Sequence, residues 1–423
     1  MPGYKVVRGT TDLWGERLAY FRFIEKTARE ISPLYNYEEI VTPIFEETAL
    51  FSRSIGEETD IVEKEMYSFS DHKGRSLTLR PEGTAPVVRA VIEHHLYRET
   101  NPLKLFYFGP MFRYERPQAG RQRQFYHLGF EAIGSAEASL DAEIITLAWQ
   151  LFQKLGLKAP SFRLNNIGCN SCRPVFRKKL EEYLKGKVEK LCPDCRRRST
   201  KNIFRLLDCK QDSCRAFLSF SPKSTDFLCS RCRLHQEKLE RYLRDVSIPY
   251  TLDREIVRGL DYYTGIVFEV VHKAMGSQDA IAGGGRYDNL VEELGGPALP
   301  AIGFACGVER LIAAMEGEGI LPPSKSKLDV YIISLGDEER IKAFELASIL
   351  RREGFCVDMG HGERSLKAEM RKADKAQARF IFILGEEELK KGLVMIKSMA
   401  DGRQEGIARG EALVYIKEKL KKL

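Results

Sequence analysis

The chain has 423 residues, of which 43% are hydrophobic and 30% are charged, a balance typical of a folded globular protein. At about 150 residues per domain, this length predicts two or three domains. Apolar runs such as residues 380–384 fall far short of the roughly 18 residues that cross a bilayer, and the first residues contain no apolar signal segment. We therefore expect a cytoplasmic protein that does not enter a membrane, with its ten cysteines present as thiols or metal ligands.

Charge is unevenly distributed along the chain. The net charge is +7, from 67 Lys and Arg against 60 Asp and Glu. Residues 169–245 hold 20 basic and 10 acidic side chains, and residues 325–423 hold 21 and 17, so the rest of the chain is acidic. Basic appendages on an acidic body indicate a polyanionic partner, although lysines that only solvate helical surfaces would give the same counts.

The first 290 residues predict helices and strands in the following order. Apolar residues recur at helical spacing over residues 15–32, and Pro33 ends that helix. The later elements are strands at 39–41, 76–79 and 103–108, a long hairpin with arms at 111–115 and 124–133, a helix at 141–155, a cysteine-rich stretch at 169–232, a strand at 266–271, a glycine turn at 283–285 and a helix from about 287.

A domain boundary is predicted near residue 322. Residues 316–327 (EGEGILPPSKSK) are rich in Gly, Pro and Ser and poor in apolar residues, which is the composition of a linker. Beyond this linker, strands at 329–334, 356–359 and 380–384 alternate with helices at 338–352 and 365–376. This alternation predicts a small α/β domain over residues 327–423, with a largely parallel sheet, separate from residues 1–322.

The predicted hairpin carries an unusual polar face. Because strand side chains alternate, its second arm divides into a core face with Leu128 and Phe130 and an opposite face with Arg123, Phe125, His127, Gly129 and Glu131. Gly129 would leave a gap in which a small polar molecule could lie against the backbone. The partner arm adds Arg113 and Glu115 to one face. A surface hairpin with salt bridges would show the same pattern, so the hairpin alone does not predict a site.

Three further segments bring polar groups to the ends of predicted strands. LRPEGT at 79–84 places Glu82 and Thr84 in a tight turn, and RGLDYY at 258–263 combines an arginine with two phenols. AIGFACGVER at 301–310 delivers Arg310 to the start of a helix, where anions are favoured. Each segment alone is weakly specific, and GGGR at 283–286 lacks the Gly-Lys-Ser/Thr of a P-loop.

Taken in this order, the hairpin and the three segments resemble the class II aminoacyl-tRNA synthetases and, among them, the histidine–tRNA ligase family. Residues 41–69 resemble that family's first motif, which forms its dimer interface, with Pro43 in the expected place. The resemblance covers essentially the whole chain. It implies an α+β fold: a class II antiparallel sheet with flanking helices in residues 1–322, a Cys-rich basic insert at about 165–245, and a C-terminal α/β anticodon-binding domain.

The resemblance also implies the reaction, which is ATP-dependent attachment of L-histidine to its cognate tRNA through a histidyl-adenylate. ATP with Mg²⁺ would be a substrate, and the active form would be a homodimer. Such a reaction needs cations that stabilise developing negative charge, and arginines outnumber general bases in these motifs.

By similarity, the site residues fall into four groups. The catalytic residues would be Arg258 and Arg113. The histidine site would comprise Glu82, Gly83, Thr84, Arg113, His127, Glu131, Arg258, Tyr262 and Tyr263. The ATP site would comprise Arg113, Glu115, Arg121, Gly307 and Arg310. Arg116 and Gln118 would contact the tRNA.

His127 departs from the family pattern, which usually has glutamine at this place. A neutral imidazole can conserve one of the amide's hydrogen bonds but not all of them, and a histidine that only packs beneath the site is the alternative. If His127 contacts the substrate, protonation near pH 6 should weaken histidine binding more steeply than glutamine would.

Two rival functions share parts of the pattern. A regulatory paralogue of the family normally lacks the C-terminal domain and the ATP-binding arginines, both of which this chain has. A zinc-ribbon RNA-binding protein without catalysis would not require Glu82, Arg258 and Arg310 together.

The cysteines suggest a structural metal. Eight of them occur in pairs, and three pairs have the C-x2-C spacing of zinc knuckles: 169/172, 192/195 and 229/232, whereas 209/214 is wider. Two knuckles make one tetrahedral site, and we take Cys192, Cys195, Cys229 and Cys232 as the candidate zinc ligands. This spacing is compatible with one ion, with two ions, or with thiols that bind no metal. Cys306 and Cys356 lie on apolar strands and are predicted to be core residues.

Overall fold

The chain forms two structural units, Met1–Pro322 and Pro323–Leu423. The computed structural model describes residues 3–117, 120–158, 160–209, 211–273, 280–323, 328–362 and 365–421. Within these ranges, no helix combines the length and the apolar character that a membrane span requires.

Eleven strands of the first unit lie in the described ranges. They are β1 Glu38–Glu39, β2 Phe45–Glu47, β3 Tyr67–Ser70, β4 Ser76–Leu79, β5 Leu103–Phe112, β6 Gln124–Ile133, β7 Ser161–Asn166, β8 Tyr250–Leu252, β9 Thr264–Val271, β10 Ala280–Arg286 and β11 Ala301–Gly307. Eight of them form one sheet in the order β1-β5-β6-β11-β10-β9-β7-β8. Its inner pairs are antiparallel, and only the outer pairs β1/β5 and β7/β8 are parallel among these strands. A second, three-stranded sheet has the order β2-β4-β3.

The helices described in this unit are α1 Gly15–Ile31, α2 Thr48–Ile55, α3 Thr84–Glu93, α4 Ala138–Lys154, α5 Cys172–Leu184, α6 Pro193–Lys201, α7 Asp212–Leu218, α8 Ser230–Asp245, α9 Leu290–Glu293 and α10 Val308–Gly317. The antiparallel sheet with flanking helices confirms the predicted fold class. The predicted hairpin differs in two respects: β5 is a single strand that runs through Pro110 and joins the two expected pieces, and it ends at Phe112, so residues 113–115 lie outside it. The glycine turn predicted at 283–285 is wrong, because these residues lie in β10.

One face of the large sheet is apolar and packs under α1, α4, α8 and α10. A row of phenylalanine rings crosses this face from β5 to β7, with neighbouring centroids 5.2–6.4 Å apart: Phe106, Phe130, Phe304, Phe268 and Phe162. Burying each ring contributes roughly 1.5–3 kcal/mol. The alternation predicted for β6 is confirmed, because Leu128 and Phe130 belong to this core.

The insert at residues 165–245 has a small core of its own. Phe176 and Leu180 of α5 pack with Leu191, Ile203 and Cys195. This cluster includes buried cysteines, and it is much smaller than the core under the large sheet. An insert of this kind therefore depends on more than hydrophobic burial for its stability.

The second unit contains a five-stranded sheet in the order β13-β12-β14-β15-β16. Its strands are β12 Val330–Ser334, β13 Val357–Met359, β14 Phe380–Leu384, β15 Leu393–Ser398 and β16 Gln404–Ala408, and its helices are α11 Asp337–Arg352, α12 Leu366–Lys375, α13 Glu386–Lys390 and α14 Ala412–Lys421. The predicted parallel part is present, since β12 pairs in parallel with β13 and β14. β15 and β16 add an antiparallel edge that the sequence analysis missed.

Each unit has its own buried core, so the first should fold without the second. A chain that ends at Pro322 should unfold in one cooperative thermal transition. Its circular dichroism spectrum should be that of a folded protein with both helices and strands. A broad, non-cooperative transition would contradict the boundary.

Candidate active site

A cavity of about 160 Å³ opens on the face of the large sheet that carries Glu131. Eight of the nine residues expected to contact histidine line it: Glu82, Thr84, Arg113, His127, Glu131, Arg258, Tyr262 and Tyr263. The ninth, Gly83, lies between two of them. The lining is completed by seven residues that the motifs did not predict: Tyr107, Leu260, Gly283, Tyr287, Gly303, Phe304 and Ala305. Tyr107 could have been found by extending strand alternation into β5, since Phe106 and Phe108 face the core.

Glu131 is a buried carboxylate, 1% exposed, in the middle of the sheet. The Thr84 hydroxyl donates a hydrogen bond to one carboxylate oxygen at 2.7 Å, and the Tyr287 hydroxyl donates to the other at 2.6 Å. Burial raises the pKa of Glu131 to about 8, while these two hydrogen bonds oppose the rise. A cationic or N–H donating group in the cavity would favour the ionised form.

A second buried carboxylate, Glu82, lies at the start of α3. Its oxygens accept hydrogen bonds from the backbone N–H groups of Thr84 at 2.7 Å and Ala85 at 2.9 Å. Burial raises the pKa of Glu82, and these backbone bonds counteract part of that effect. The cavity therefore has two carboxylates supplied by separate elements.

The gap expected above Gly129 is not open. Gly129 pairs in register with Tyr107 of β5, and a Cβ atom at residue 129 would lie 2.2 Å from Cζ of that tyrosine. The glycine makes room for the phenol ring, and not directly for a ligand as the sequence analysis expected. Gly83 serves the same ring, because a Cβ there would lie 2.3 Å from it.

His127 lies in the cavity wall, with its ring centroid 5.1 Å from that of Phe125. Its Nδ1 is buried and has no hydrogen-bond partner among the described residues. Burial, followed by the charges of Arg113, Arg80 and Arg310, lowers the pKa of His127 to about 3. The imidazole is thus neutral between pH 6 and 8, and the protonation expected near pH 6 is wrong.

The segment Arg258–Tyr263, called here the RGLDYY loop, joins β8 to β9 and closes one side of the cavity. Arg258 donates a hydrogen bond from Nη1 to Glu269 at 2.5 Å. Its guanidinium occupies the space beside Gly283, where a Cβ atom would come within 2.2 Å of Nη2. The rings of Tyr262 and Tyr263 lie 4.8 Å apart.

Other arginines lie near Arg113, which lines the cavity. Arg113 donates to the carbonyl oxygen of Pro81 at 2.8 Å, and Arg121 donates to Glu115 at 2.9 Å. Burial and then the charge of Arg121 lower the pKa of Arg310, with Arg113 adding to this effect. Crowded cations of this kind are stabilised by a bound polyanion.

The remaining predicted contacts are distributed as follows. Arg310 donates to the carbonyl oxygen of Ala280, and Gly307 pairs in register with His127. Arg116 is exposed in the turn of the hairpin. Gln118 lies outside the described residues.

The cysteines of the insert form two clusters whose membership differs from the predicted set. One contains Cys169, Cys172, Cys229 and Cys232, and the other contains Cys192, Cys195, Cys209 and Cys214. The predicted ligands Cys192/Cys195 and Cys229/Cys232 are therefore divided between two clusters. Spacing identifies which cysteines share a turn, but it does not say which turns meet in space.

Both clusters have the dimensions of a tetrathiolate metal site. Within each, the four Sγ atoms lie within 4.8 Å of one another, and the shorter separations include 3.6 Å between Cys169 and Cys172 and 3.9 Å between Cys192 and Cys209. A tetrahedral zinc ion with ligands at about 2.3 Å would separate its sulfurs by about 3.8 Å. Outside the clusters, Cys306 is buried as predicted, whereas Cys356 is exposed.

Two family models match the chain. The model described as histidyl-tRNA synthetase covers residues 9–311, and the model described as anticodon binding domain covers residues 329–419. A catalytic body followed by an anticodon-binding domain is the organisation of an aminoacyl-tRNA synthetase. The chain belongs to the histidyl-tRNA synthetase family.

Individual relatives agree with this membership. The histidine–tRNA ligase of Thermosipho melanesiensis is 50% identical over 96% of both chains, and that of Thermotoga maritima is 48% identical over 99% of both. The crystal structure of apo histidyl-tRNA synthetase from S. aureus superposes with a TM-score of 0.85 at 37% identity, covering 98% of this chain and 100% of that one. The resemblance described from the motifs is confirmed.

Proposed function

We propose that the 160 Å³ cavity is where this chain performs the reaction of its family, the ATP-dependent attachment of histidine to tRNA through a histidyl-adenylate. The observation that carries the assignment is the polarity of the cavity. Two buried carboxylates, Glu82 and Glu131, line it together with Arg258 and Arg113, while Arg121 and Arg310 extend the positive charge beyond it. Such a site fits an amino acid whose ammonium and ring N–H groups face the acids and whose carboxylate faces ATP.

Histidine is assigned to the acidic end. The carboxylates of Glu82 and Glu131 and the hydroxyl of Thr84 can pair with the α-ammonium and the ring N–H. The two phenol rings of the RGLDYY loop close the cavity beside them. A site that hydrogen-bonds the substrate's polar groups rejects apolar analogues strongly, because its own buried groups would be left unpaired.

ATP, bound as its Mg²⁺ complex, is assigned to the basic end. Arg113 would hold the α-phosphate, and Arg310 would hold the terminal phosphate together with the helix start after Gly307. Arg121 and Glu115 lie beside them as an ion pair. Arg258 would face the reacting α-phosphate and stabilise the negative charge that develops in the transition state.

The tRNA is assigned to the appendages. Arg116 in the hairpin turn would reach the acceptor end together with Gln118, the basic insert would follow the backbone, and the second unit would bind the anticodon. This division of labour leaves adenylate formation in residues 1–322. We also propose that the enzyme works in the cytoplasm, where its tRNA is charged.

We propose that the active form is a homodimer. The stretch that resembles the family's dimer motif exposes several large apolar side chains, including Val41 at 81% and Phe45 at 47%. Ile44, which precedes Phe45, and Phe69, which lies in the same three-stranded sheet as Phe45, are also exposed. An apolar surface of this kind is typical of an interface.

Replacing the proposed transition-state cation tests the site directly. Arg258→Ala should cut histidine-dependent ATP–pyrophosphate exchange by on the order of a hundredfold, as loss of a transition-state charge does. Arg254→Ala is the matched control, because Arg254 is half-exposed and pairs with Asp226 outside the cavity. Light scattering should show the same dimer for both variants. Exchange at the wild-type rate in Arg258→Ala would refute the assigned role.

The place of His127 can be tested by comparing it with alanine and with the glutamine usual in the family. If its ring contacts histidine, His127→Ala should raise the KM for histidine roughly tenfold, equivalent to one net hydrogen bond of about 1–1.5 kcal/mol. His127→Gln should recover most of that loss. Because the pKa of His127 is about 3, wild type and His127→Gln should show parallel KM profiles from pH 6 to 8. An unchanged KM in His127→Ala would remove this residue from the histidine site.

We further propose that each cysteine cluster of the insert holds one structural zinc ion. Four thiolates in tetrahedral arrangement suit zinc, and the backbone N–H groups of Cys192 and Cys229 donate to cluster sulfurs, each at 3.1 Å. These ions would stabilise an insert whose own apolar core is small.

Elemental analysis of purified protein should find about two zinc ions per chain. Cys195→Ser should lose one of them, whereas Cys356→Ser should keep both, because Cys356 belongs to neither cluster. Metal-free protein whose insert resists proteolysis as well as the native form would contradict a structural role for zinc.

A further inference from the structure

We propose that the insert positions the catalytic RGLDYY loop, with Asn202 and Arg205 acting as positioning residues for adenylate formation through Asp261. The inference rests on the proposed function, since it assumes that Arg258 of this loop acts on the reacting phosphate. It adds a task for the insert that is separate from any contact with tRNA.

Asp261 is the point at which the insert holds the loop. Arg205 approaches one carboxylate oxygen of Asp261 with Nε at 3.1 Å and Nη2 at 2.9 Å. Asn202 donates from its side-chain amide to the other oxygen at 3.1 Å. Arg205 is only 8% exposed, whereas the Asp261 side chain is 31% exposed, so this ion pair is partly shielded from solvent and is stronger than a fully exposed pair.

The opposite side of Asp261 rests against the body of the first unit. Its backbone N–H donates to the carbonyl oxygen of Ile55 at 3.1 Å, at the end of α2. Gly56, with φ of +100°, follows directly, and a Cβ atom there would lie 2.3 Å from the Asp261 carboxylate. Asp261 is therefore held between the end of α2 and the insert.

A second contact from the insert holds the end of the loop. Arg173 donates from Nη1 to the carbonyl oxygen of Tyr263 at 3.3 Å. Both contacts adjoin the cysteine clusters: Arg173 follows Cys172 of one cluster, and Arg205 lies in the 3₁₀ turn Ile203–Asp208 that ends at Cys209 of the other. The two clusters thus brace the two segments that hold the loop.

Asp261 does not line the candidate active-site cavity. Asp261 and Arg205 line a second cavity, of about 100 Å³, on the insert side of the loop. Arg258 and Tyr263 line both cavities and separate them. A shift of Asp261 would accordingly move Arg258 relative to ATP, and a misplacement of about 1 Å can cost up to a hundredfold in rate.

The test measures histidine-dependent ATP–pyrophosphate exchange by the full-length protein in the absence of tRNA. Arg205→Ala and Asp261→Asn should each lower kcat roughly tenfold to a hundredfold. The KM for ATP should stay within about threefold of wild type, because Arg113 and Arg310, which are assigned to its phosphates, lie outside the loop. The kcat of the double variant should be no lower than that of the less active single variant, since the two substitutions remove the same ion pair.

The matched control is Arg198→Ala. Arg198 also joins the insert to the body, through an ion pair with Asp60 at 2.9 Å, but it does not contact the RGLDYY loop. This variant should exchange at the wild-type rate. If Arg205→Ala does not fold, Asn202→Ala replaces it, and the loss of one hydrogen bond worth about 1 kcal/mol should lower kcat roughly fivefold.

The positioning role would be overturned if Asp261→Asn and the folded insert variant, Arg205→Ala or Asn202→Ala, both had the wild-type kcat. A loss confined to tRNA charging would overturn it as well. An equal loss in Arg198→Ala would overturn it too, because the effect would then be general to the insert. Failure of the proposed function would look different, since wild-type protein would show no histidine-dependent exchange or Arg258→Ala would be fully active.

Discussion

A carboxylate in the middle of the large sheet determines how the first unit must be assembled. Glu131 is almost inaccessible to solvent, and a buried ionisable group is tolerated only when its oxygens have partners. Those partners arrive from different elements: Thr84 from the start of α3 and Tyr287 from the segment after β10. At Gly303, a Cβ atom would fall 1.8 Å from the Glu131 carboxylate, so β11 must carry a glycine there. The same residues that accommodate the acid also shape the cavity.

Much of the fold could be predicted from the sequence because it depends on local periodicity. The two faces of β6, the helix near residue 15 and the alternation after the linker all follow from apolar spacing. Pairing between distant segments does not follow from spacing. The edge strands β15 and β16 were missed for that reason, and β5 was divided at Pro110 although its partner β6 supports it along its whole length.

The candidate site shows the same limit at the level of side chains. Motif order pointed to eight of the residues that line the cavity, but the occupant of the space over Gly129 is Tyr107, which belongs to another strand. The lowered pKa of His127 likewise depends on burial by surrounding elements and then on arginines from three other segments. The cysteine clusters add a further case, because a knuckle specifies its own turn and only the folded insert brings its partner knuckle beside it.

The three successive glycines of β10 leave the middle of the sheet without side chains of its own. On one face, the guanidinium of Arg258 occupies the space where a side chain at residue 283 would lie. On the other face, a Cβ atom at residue 284 would lie 2.6 Å from Cβ of Phe304. The residues that β10 can accept at positions 283 and 284 are therefore limited by the side chains packed against them. Side chains of β6 and of the RGLDYY loop can change without any change in β10, whereas even an alanine at residue 283 or 284 would displace either the guanidinium of Arg258 or the aromatic core.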